Sequence, residues 1–159
     1  VAERLLDINP KLNLTVVKKF LSPEEAYEIV STDFDYVMDC IDSVSPKLNL
    51  MVAGIRKKVK VVSSMGAGGK LDPSKIKVSD ISKVHDCTLA RSIKKKMKKL
   101  GLHKGIRCVF SSEIQDKESV FVTDGTNFKK SFYGTMSYMP ALFGLFAAAE
   151  VVNRLLERE

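Results

Sequence analysis

The sequence predicts an α/β fold in which helices cover a mainly parallel sheet. Short apolar runs at residues 12–17, 36–39 and 60–64 alternate with helical segments, which is typical of βαβ units with right-handed crossovers. A chain of 159 residues fits one domain and can bury a sizeable core. Three antiparallel strands at these positions would contradict the prediction.

The first part of the chain is predicted as helix, strand, helix, strand and helix. Residues 1–8 form an amphipathic helix, and residues 12–17 alternate like a strand. Ser22-Pro23-Glu24-Glu25 is a capping box with proline in the first helical position, so we expect a helix from there to about residue 30. Residues 36–39 form a buried strand, and a helix follows from Ser45 to about Lys57.

The remainder of the chain is predicted from the same kinds of pattern. The expected elements are strands at 60–64, 76–81, 106–112 and 119–123, helices at 88–100 and 141–156, and a polar loop at 124–138. Residues 65–73 are rich in glycine but lack the spacing of a phosphate-binding loop. We therefore expect these glycines to permit unusual backbone angles or the close approach of another segment.

The most informative stretch runs from Asp35 to Ser43, where a short apolar strand ends in two carboxylates and a serine. Ligands of open α/β sheets bind beyond the carboxyl ends of the strands, so Asp39 and Asp42 stand where a metal ion or a polyphosphate could bind. A purely structural role is the alternative. In that case Asp39 only ends the strand and Asp42 only caps the next helix.

The charge balance favours a polyanionic partner. The net charge is +7, and the helix predicted at 88–100 and the segment after it carry most of a basic run. Leu89, Ile93, Met97 and Leu100 recur at helical spacing as its buried stripe. The run is either a solvated helix face or a nucleic-acid surface, and the candidate contact residues are Lys94, Lys95, Lys98, Lys99 and Lys104.

The cysteines and histidines exclude some kinds of site. Cys40, Cys87 and Cys108 form no CxxC pair, which excludes a four-cysteine zinc site within this chain. Their odd number suits a reducing, cytoplasmic setting. We expect Cys87 to be the exposed thiol and Cys40 to be buried. No Ser–His–Asp or Cys–His set is visible.

The apolar stretch 136–152 contains a proline and a glutamate and is predicted as a core helix, not a membrane span.

Several motifs together resemble a known family. Asp39-Cys40-Ile41-Asp42-Ser43 is similar to the Asp-x-x-Asp-Asn/Ser signature of the ubiquitin-activating-type adenylating superfamily, the MoeB/ThiF/HesA group. Residues 8–10, 67–73, 108–113 and 134–144 resemble its tRNA threonylcarbamoyladenosine dehydratase branch. The first motif identifies only the superfamily, whereas the glycine-rich loop and the Val-Phe-Ser-Ser-Glu segment are more specific to the branch. The resemblance covers nearly the whole chain.

This resemblance implies a Rossmann-like three-layer fold and an enzyme that uses ATP and Mg²⁺. In the branch, ATP adenylates the threonyl carboxylate of a modified adenosine in tRNA, and an attack from within the same group closes a ring and releases AMP. By resemblance, Asp42 is the catalytic aspartate that handles magnesium and phosphate, and Ser43 contacts the nucleotide. The family also implies a homodimer in the cytoplasm.

The resemblance also predicts which part of the domain this is. The family's glycine-rich strand–turn–helix, its ribose-binding acid and its phosphate-binding arginine and lysine do not precede Val1. We therefore expect residues 1–159 to be the C-terminal part of a single ThiF-like adenylating domain, truncated at its nucleotide-binding half and inactive alone. Two other functions stay open: activation of a small ubiquitin-like sulfur-carrier protein, and a non-catalytic basic nucleic-acid-binding module.

Overall fold

A four-stranded sheet forms the centre of the molecule in the computed structural model, which describes residues 1–115, 120–122 and 131–157. The strands of this sheet are β1 (Val37–Asp39), β2 (Val61–Ser64), β3 (Ile76–Asp80) and β4 (Arg107–Ser111). Their order is β1-β2-β4-β3, in which β1 and β4 run parallel to β2 and β3 runs antiparallel to β4. The predicted α/β class with a mainly parallel sheet is confirmed.

One predicted strand is wrong. Residues 12–17 form neither a strand nor a helix, and Val16 and Val17 are 55% and 51% exposed. Alternating apolar residues favour a strand, but a strand also needs a neighbour for its backbone N–H and C=O groups. No described segment pairs with residues 12–17, so the local pattern alone does not make them a strand.

Helices cover both faces of the sheet and give the expected three layers. The helices are α1 (Ala2–Ile8), α2 (Pro23–Ile29), α3 (Val44–Lys57), α4 (Thr88–Lys99) and α5 (Tyr138–Leu156). On one face, Met51 of α3 and Ile93 and Met97 of α4 pack with Phe110 of β4. On the other face, α5 packs Phe143 and neighbouring residues against β2 and β4.

A capping box begins α2 where the sequence predicts it, and α2 packs on α3. The Ser22 hydroxyl accepts the Glu25 N–H at 3.1 Å while the Glu25 carboxylate accepts the Ser22 N–H, so the capping box is formed. Ala26 of α2 then packs on Leu50 and Ala53 of α3 in a small separate cluster. Helix α2 thus covers the middle of α3, which itself begins at Val44, five residues after the end of β1.

The last part of the chain contains a hairpin and the long apolar helix. Strand β5 (Val120–Val122) matches a predicted strand, but β6 (Ser131–Tyr133) lies inside the predicted loop. Helix α5 begins three residues earlier than predicted because Pro140 lies in its first turn, where no intrahelical N–H is needed. By length and composition α5 could cross a membrane. One side of α5 is buried on the sheet, and 22% of its most apolar window is buried inside the protein.

Candidate active site

Asp42 and Ser43 lie at the carboxyl edge of the sheet, just beyond β1. Both residues are exposed, and Ser43 is the N-cap of α3, although its side chain makes no capping hydrogen bond. The first N–H groups of a helix lack intrahelical partners and, with the helix dipole, favour an anion. The Asp42–Ser43 turn therefore combines a carboxylate, a hydroxyl and a helix N-terminus at the edge where such sheets bind ligands.

Asp39 is buried directly beneath this turn. Its Oδ2 accepts hydrogen bonds from Lys47 Nζ at 2.7 Å and from Ser63 Oγ at 2.6 Å. Its Oδ1 accepts the backbone N–H of Ile41 at 3.0 Å, and Lys47 also donates to the Ile41 carbonyl at 2.9 Å. Each buried side-chain N and O atom of this network has a hydrogen-bond partner, and these bonds connect Asp39 to the turn.

The two carboxylates of the motif are therefore separated by their environments. Asp39 is 1% exposed and pairs with an ammonium group, whereas Asp42 is exposed. In the part of the chain that the structure describes, no group of three His, Cys, Asp or Glu side chains could bind a metal ion. Mg²⁺ commonly binds one or two carboxylates plus substrate phosphates, and an exposed Asp42 fits that mode.

The glycine-rich loop follows β2 at the same edge and is anchored by a buried lysine. The Lys70 ammonium donates to the backbone carbonyls of Asp86 at 2.9 Å, of Ser111 at 3.5 Å, and of Glu113. Lys70 is 0% exposed, and burial lowers the pKa of its ammonium. The loop is thus tied to the end of β4 and to the segment before α4.

Glu113 also connects the end of β4 to the glycine-rich loop, because its side chain accepts hydrogen bonds from the loop backbone. Its carboxylate accepts the N–H groups of Leu71 and Asp72, each at 2.9 Å. At Gly68, a Cβ would lie 2.8 Å from the Cβ of Tyr133, so another segment does approach the loop closely, as predicted. The two branch-specific motifs therefore bind each other, and they form the part of the edge next to the Asp42 turn.

Sequence reasoning did not find Lys47, Lys70 or Glu113 as parts of this edge. A usable signal existed for Lys70 and Glu113, because their two motifs occur together in the resemblance. Lys47 lies one turn into α3 after the aspartate pair, at a spacing that allows it to reach back. A buried lysine is rare unless it is paired, so single-sequence reasoning expects exposure.

Most of the predicted basic residues are exposed on or after α4. Lys95, Lys98, Lys99 and Lys104 face solvent, whereas Lys94 donates to the backbone carbonyls of Val84 at 2.9 Å and Ser82 at 3.4 Å. Lys94 is thus engaged in holding α4 to the chain before it. The predicted apolar stripe is confirmed for Ile93 and Met97, but Leu100 is 49% exposed because α4 ends at Lys99.

The predicted exposures of Cys40 and Cys87 are both wrong. Cys40 is exposed in the turn after β1, whereas Cys87 is buried as the N-cap of α4, where its Sγ accepts the Ala90 N–H. Next to Cys87, His85 Nδ1 lies 2.7 Å from Asp86 Oδ2, and this hydrogen bond lowers the pKa of the Asp86 carboxyl. Both side chains are partly exposed, as expected of turn residues.

Comparison with known proteins identifies similar sequences and structures. The profile of the ThiF family matches residues 1–159. A tRNA threonylcarbamoyladenosine dehydratase of Bacillus subtilis is 32% identical over 161 residues, which cover 97% of this chain and 63% of that protein. The corresponding protein of Escherichia coli is 32% identical over 175 residues, which cover 99% of this chain and 65% of that protein.

Solved structures agree with these sequence matches. The crystal structure of E. coli tRNA N6-threonylcarbamoyladenosine dehydratase in complex with ATP superposes with a TM-score of 0.84 at 31% identity. The superposition covers 99% of this chain and 62% of that chain. The fold is therefore Rossmann-like, and this chain spans a little under two thirds of the length of the relatives that it matches.

Proposed function

The chain belongs to the ThiF family, and we propose that it acts in the ATP-dependent adenylation and cyclisation of threonylcarbamoyladenosine in tRNA. The observation that carries this proposal is the exposed Asp42–Ser43 turn at the carboxyl edge, which the buried Asp39 supports. Beside this turn, the segments that contain Lys70 and Glu113 are joined by hydrogen bonds. About one third identity with tRNA threonylcarbamoyladenosine dehydratases supports the choice of substrate.

In the proposed reaction, the threonyl carboxylate attacks the α-phosphate of ATP and pyrophosphate leaves. A nucleophile of the same modified nucleoside then attacks the acyl adenylate, closes the ring and releases AMP. The α3 N-terminus and the Ser43 hydroxyl orient phosphate oxygens by hydrogen bonds. Asp42 offers the carboxylate for Mg²⁺, which when bound supplies neutralisation of phosphate charge. The Asp39 network keeps the Asp42 turn in position.

We propose that tRNA contacts the exposed lysines of α4 and the segment after it: Lys95, Lys98, Lys99 and Lys104. Lysine ammonium groups displace counterions from phosphates, so affinity should fall steeply with salt concentration. Lys94 belongs to the original set of candidates, but its ammonium is already bound to two carbonyls, so we expect it to contribute least. Lys95→Glu with Lys99→Glu should weaken tRNA binding and flatten its salt dependence, measured by filter binding. An unchanged affinity and salt slope would mean that the basic side of α4 is a solvated helix face and does not bind tRNA.

The remaining expectations about assembly and location are proposals on the same basis. Family resemblance favours a homodimer, and α5 keeps large apolar residues such as Leu145 and Val152 exposed at 65% and 52%. A cytoplasmic, non-membrane location suits a tRNA substrate and three free cysteines. Sedimentation analysis tests the dimer directly.

The experiment that tests the function is pyrophosphate release by the product of the complete reading frame. Release that depends on tRNA containing threonylcarbamoyladenosine supports the proposal. Release that depends instead on a small ubiquitin-like sulfur-carrier protein would assign the chain to that other activity of the superfamily. Binding of tRNA without any release of pyrophosphate would favour the non-catalytic binding module.

A further inference from the structure

Two stretches of the chain contain basic residues and no acidic ones. Neither 43–71 nor 87–112 includes Asp or Glu, and together they hold fourteen lysine and arginine residues. Lys47 and Lys70 are buried in the networks at the carboxyl edge, and Arg107 pairs with Glu150. Most of the others cluster at the ends of two helices, so their position in the fold decides what they can bind.

Helices α3 and α4 both run from the carboxyl edge of the sheet to its amino edge. Helix α3 begins just after β1 ends, and it finishes just before β2 begins. Helix α4 begins where the Thr88 hydroxyl donates to Gln115, beyond the carboxyl end of β4, and its last residue precedes the start of β4. Arg56 near the end of α3 and Leu100 after α4 line one groove, so the two helix ends are neighbours. Glu24 and Glu28 of α2 line the same groove, so the basic residues are bordered by carboxylates on the α2 side.

These two helix ends carry the exposed basic residues of a surface that we name the amino-edge rim. It consists of exposed residues from the end of α3 to the start of β2 and from α4 and the segment after it: Arg56, Lys58, Lys60, Lys95, Lys96, Lys98, Lys99 and Lys104. Among the described residues, no carboxylate lies within salt-bridge distance of any of the eight. Their charge is therefore available to a polyanion.

The basic segments of the rim contain none of the aromatic side chains that single-stranded nucleic acids stack on. Residues 52–62 and 88–107, which contain it, include no Phe, Tyr or Trp. Two aromatic rings lie beside the rim, and each has a lysine ammonium over it. The ammonium of Lys57 lies 4.2 Å from the centroid of Tyr27, and that of Lys60 lies 5.7 Å from the centroid of Tyr36. Single-strand binders combine a basic groove with aromatic platforms, whereas double-stranded RNA is bound through its shape and its phosphates.

We propose that the amino-edge rim binds the phosphate backbone of a double-stranded RNA stem, away from the reacting nucleotide. Helix α3 has 14 residues, so the rim lies about 20 Å from Asp42 across the domain. A nucleoside that reacts at the carboxyl edge would leave the rim facing another part of the same RNA. This inference rests on the proposed function for its substrate and adds Arg56, Lys58, Lys60 and Lys96 to the surface.

The test measures binding of a fluorescent RNA hairpin stem by the chain at several salt concentrations, without ATP and without a modified nucleotide. Arg56→Glu with Lys60→Glu should weaken stem binding at least tenfold and lower the salt slope by about 2, one for each lost phosphate contact. The matched control is Lys18→Glu with Lys19→Glu, which changes the net charge equally at two exposed lysines outside the rim. The control should leave the slope unchanged.

Three results would overturn the proposal. One is an equal loss in rim and control variants with unchanged circular dichroism, because only net charge would then matter. Another is tighter binding of a single strand than of the stem. The last is binding of vesicles with anionic lipids in preference to RNA. Failure of pyrophosphate release would not affect these measurements, and loss of the rim effect would not affect an Asp42-dependent release, so the two proposals fail separately.

Discussion

Lys47 Nζ lies 2.7 Å from Asp39 Oδ2, and neither side chain is exposed to solvent. Ser63 and the Ile41 N–H provide the remaining hydrogen bonds to this carboxylate. The pair joins the end of β1 to α3 and so holds the turn that presents Asp42. A buried ion pair of this kind adds little net stability over apolar residues, but removing one partner leaves a buried charge uncompensated.

Asp39→Asn should therefore destabilise the fold by about 3–5 kcal/mol, since Lys47 would keep its buried charge without a counterion. The double variant Asp39→Asn/Lys47→Met should recover part of this loss because no charge then remains buried. Urea unfolding measures both free energies. The neighbouring change Asp42→Asn serves as the control and should cost less than Asp39→Asn, because Asp42 is exposed. Equal effects at positions 39 and 42 would contradict the separation of the two carboxylates.

Lys70→Met should destabilise the protein by about 2–4 kcal/mol, because it removes the donor to the buried carbonyl of Ser111 and to the part-buried carbonyls of Asp86 and Glu113. Amide hydrogen exchange of the glycine-rich loop should rise at the same time. Lys75→Met is the matched control, since Lys75 makes an exposed ion pair with Asp72 at 3.5 Å and should change stability by less than about 1 kcal/mol. A loop that exchanges no faster in Lys70→Met would show that this lysine does not anchor it.

Thiol labelling should distinguish Cys40 from the other two cysteines. Cys40 is exposed, whereas Cys87 and Cys108 are buried and burial raises the pKa of the Cys108 thiol well above its usual range. One thiol should react with a disulfide reagent in the folded protein and all three in denaturant. Cys40→Ser should abolish the fast reaction. Fast labelling of Cys87 in that variant would mean that the start of α4 is open to solvent.

The ion pair between α5 and β4 should make stability depend on pH. Arg107 Nε and Nη2 lie 2.7 and 3.3 Å from the Glu150 carboxylate oxygens, and this pairing lowers the pKa of Glu150. A lowered folded-state pKa gives stability that is present above the unfolded value of about 4.3 and is lost as pH falls through the folded value.

Glu150→Gln should thus cost about 1 kcal/mol near pH 7, and the difference from wild type should shrink as pH falls below about 4. Chemical denaturation at several pH values measures this difference. Glu157→Gln is the control, because its partner Arg154 is exposed and the change should cost less than about 0.5 kcal/mol. A difference for Glu150→Gln that grows in acid would reverse the predicted sign.

Elements with local signals could be predicted from the sequence. The capping box at Ser22 fixes the start of α2 within four residues, and the apolar spacing of Ile93 and Met97 fixes the buried side of α4. The predicted burial of the strand before Asp42 is wrong at Met38, which is 44% exposed. The exposed position of Asp42 still follows from local order, because it lies three residues beyond the end of this strand. Each of these conclusions needs only a few neighbouring residues.

Features that depend on distant segments could not be predicted in this way. Residues 12–17 have a strand pattern but no described neighbour, and β6 exists because it pairs with β5. Lys70 is buried because carbonyls from residues 86, 111 and 113 converge on it. The exposures of Cys40 and Cys87 depend likewise on how the turn after β1 and the start of α4 pack. Pairing and burial of this kind are set by tertiary contacts that a single sequence does not display.

The most direct test of the central claim is ATP–pyrophosphate exchange by the product of the complete reading frame, with wild type and Asp42→Asn compared. Asparagine has the same shape but lacks the charge, so we expect the fold to be retained and exchange to fall by about 100-fold or more. Asp33→Asn, at an exposed aspartate in the loop before β1, is the control and should exchange like wild type. Exchange by Asp42→Asn within about twofold of wild type would contradict the assignment of this edge as the catalytic site.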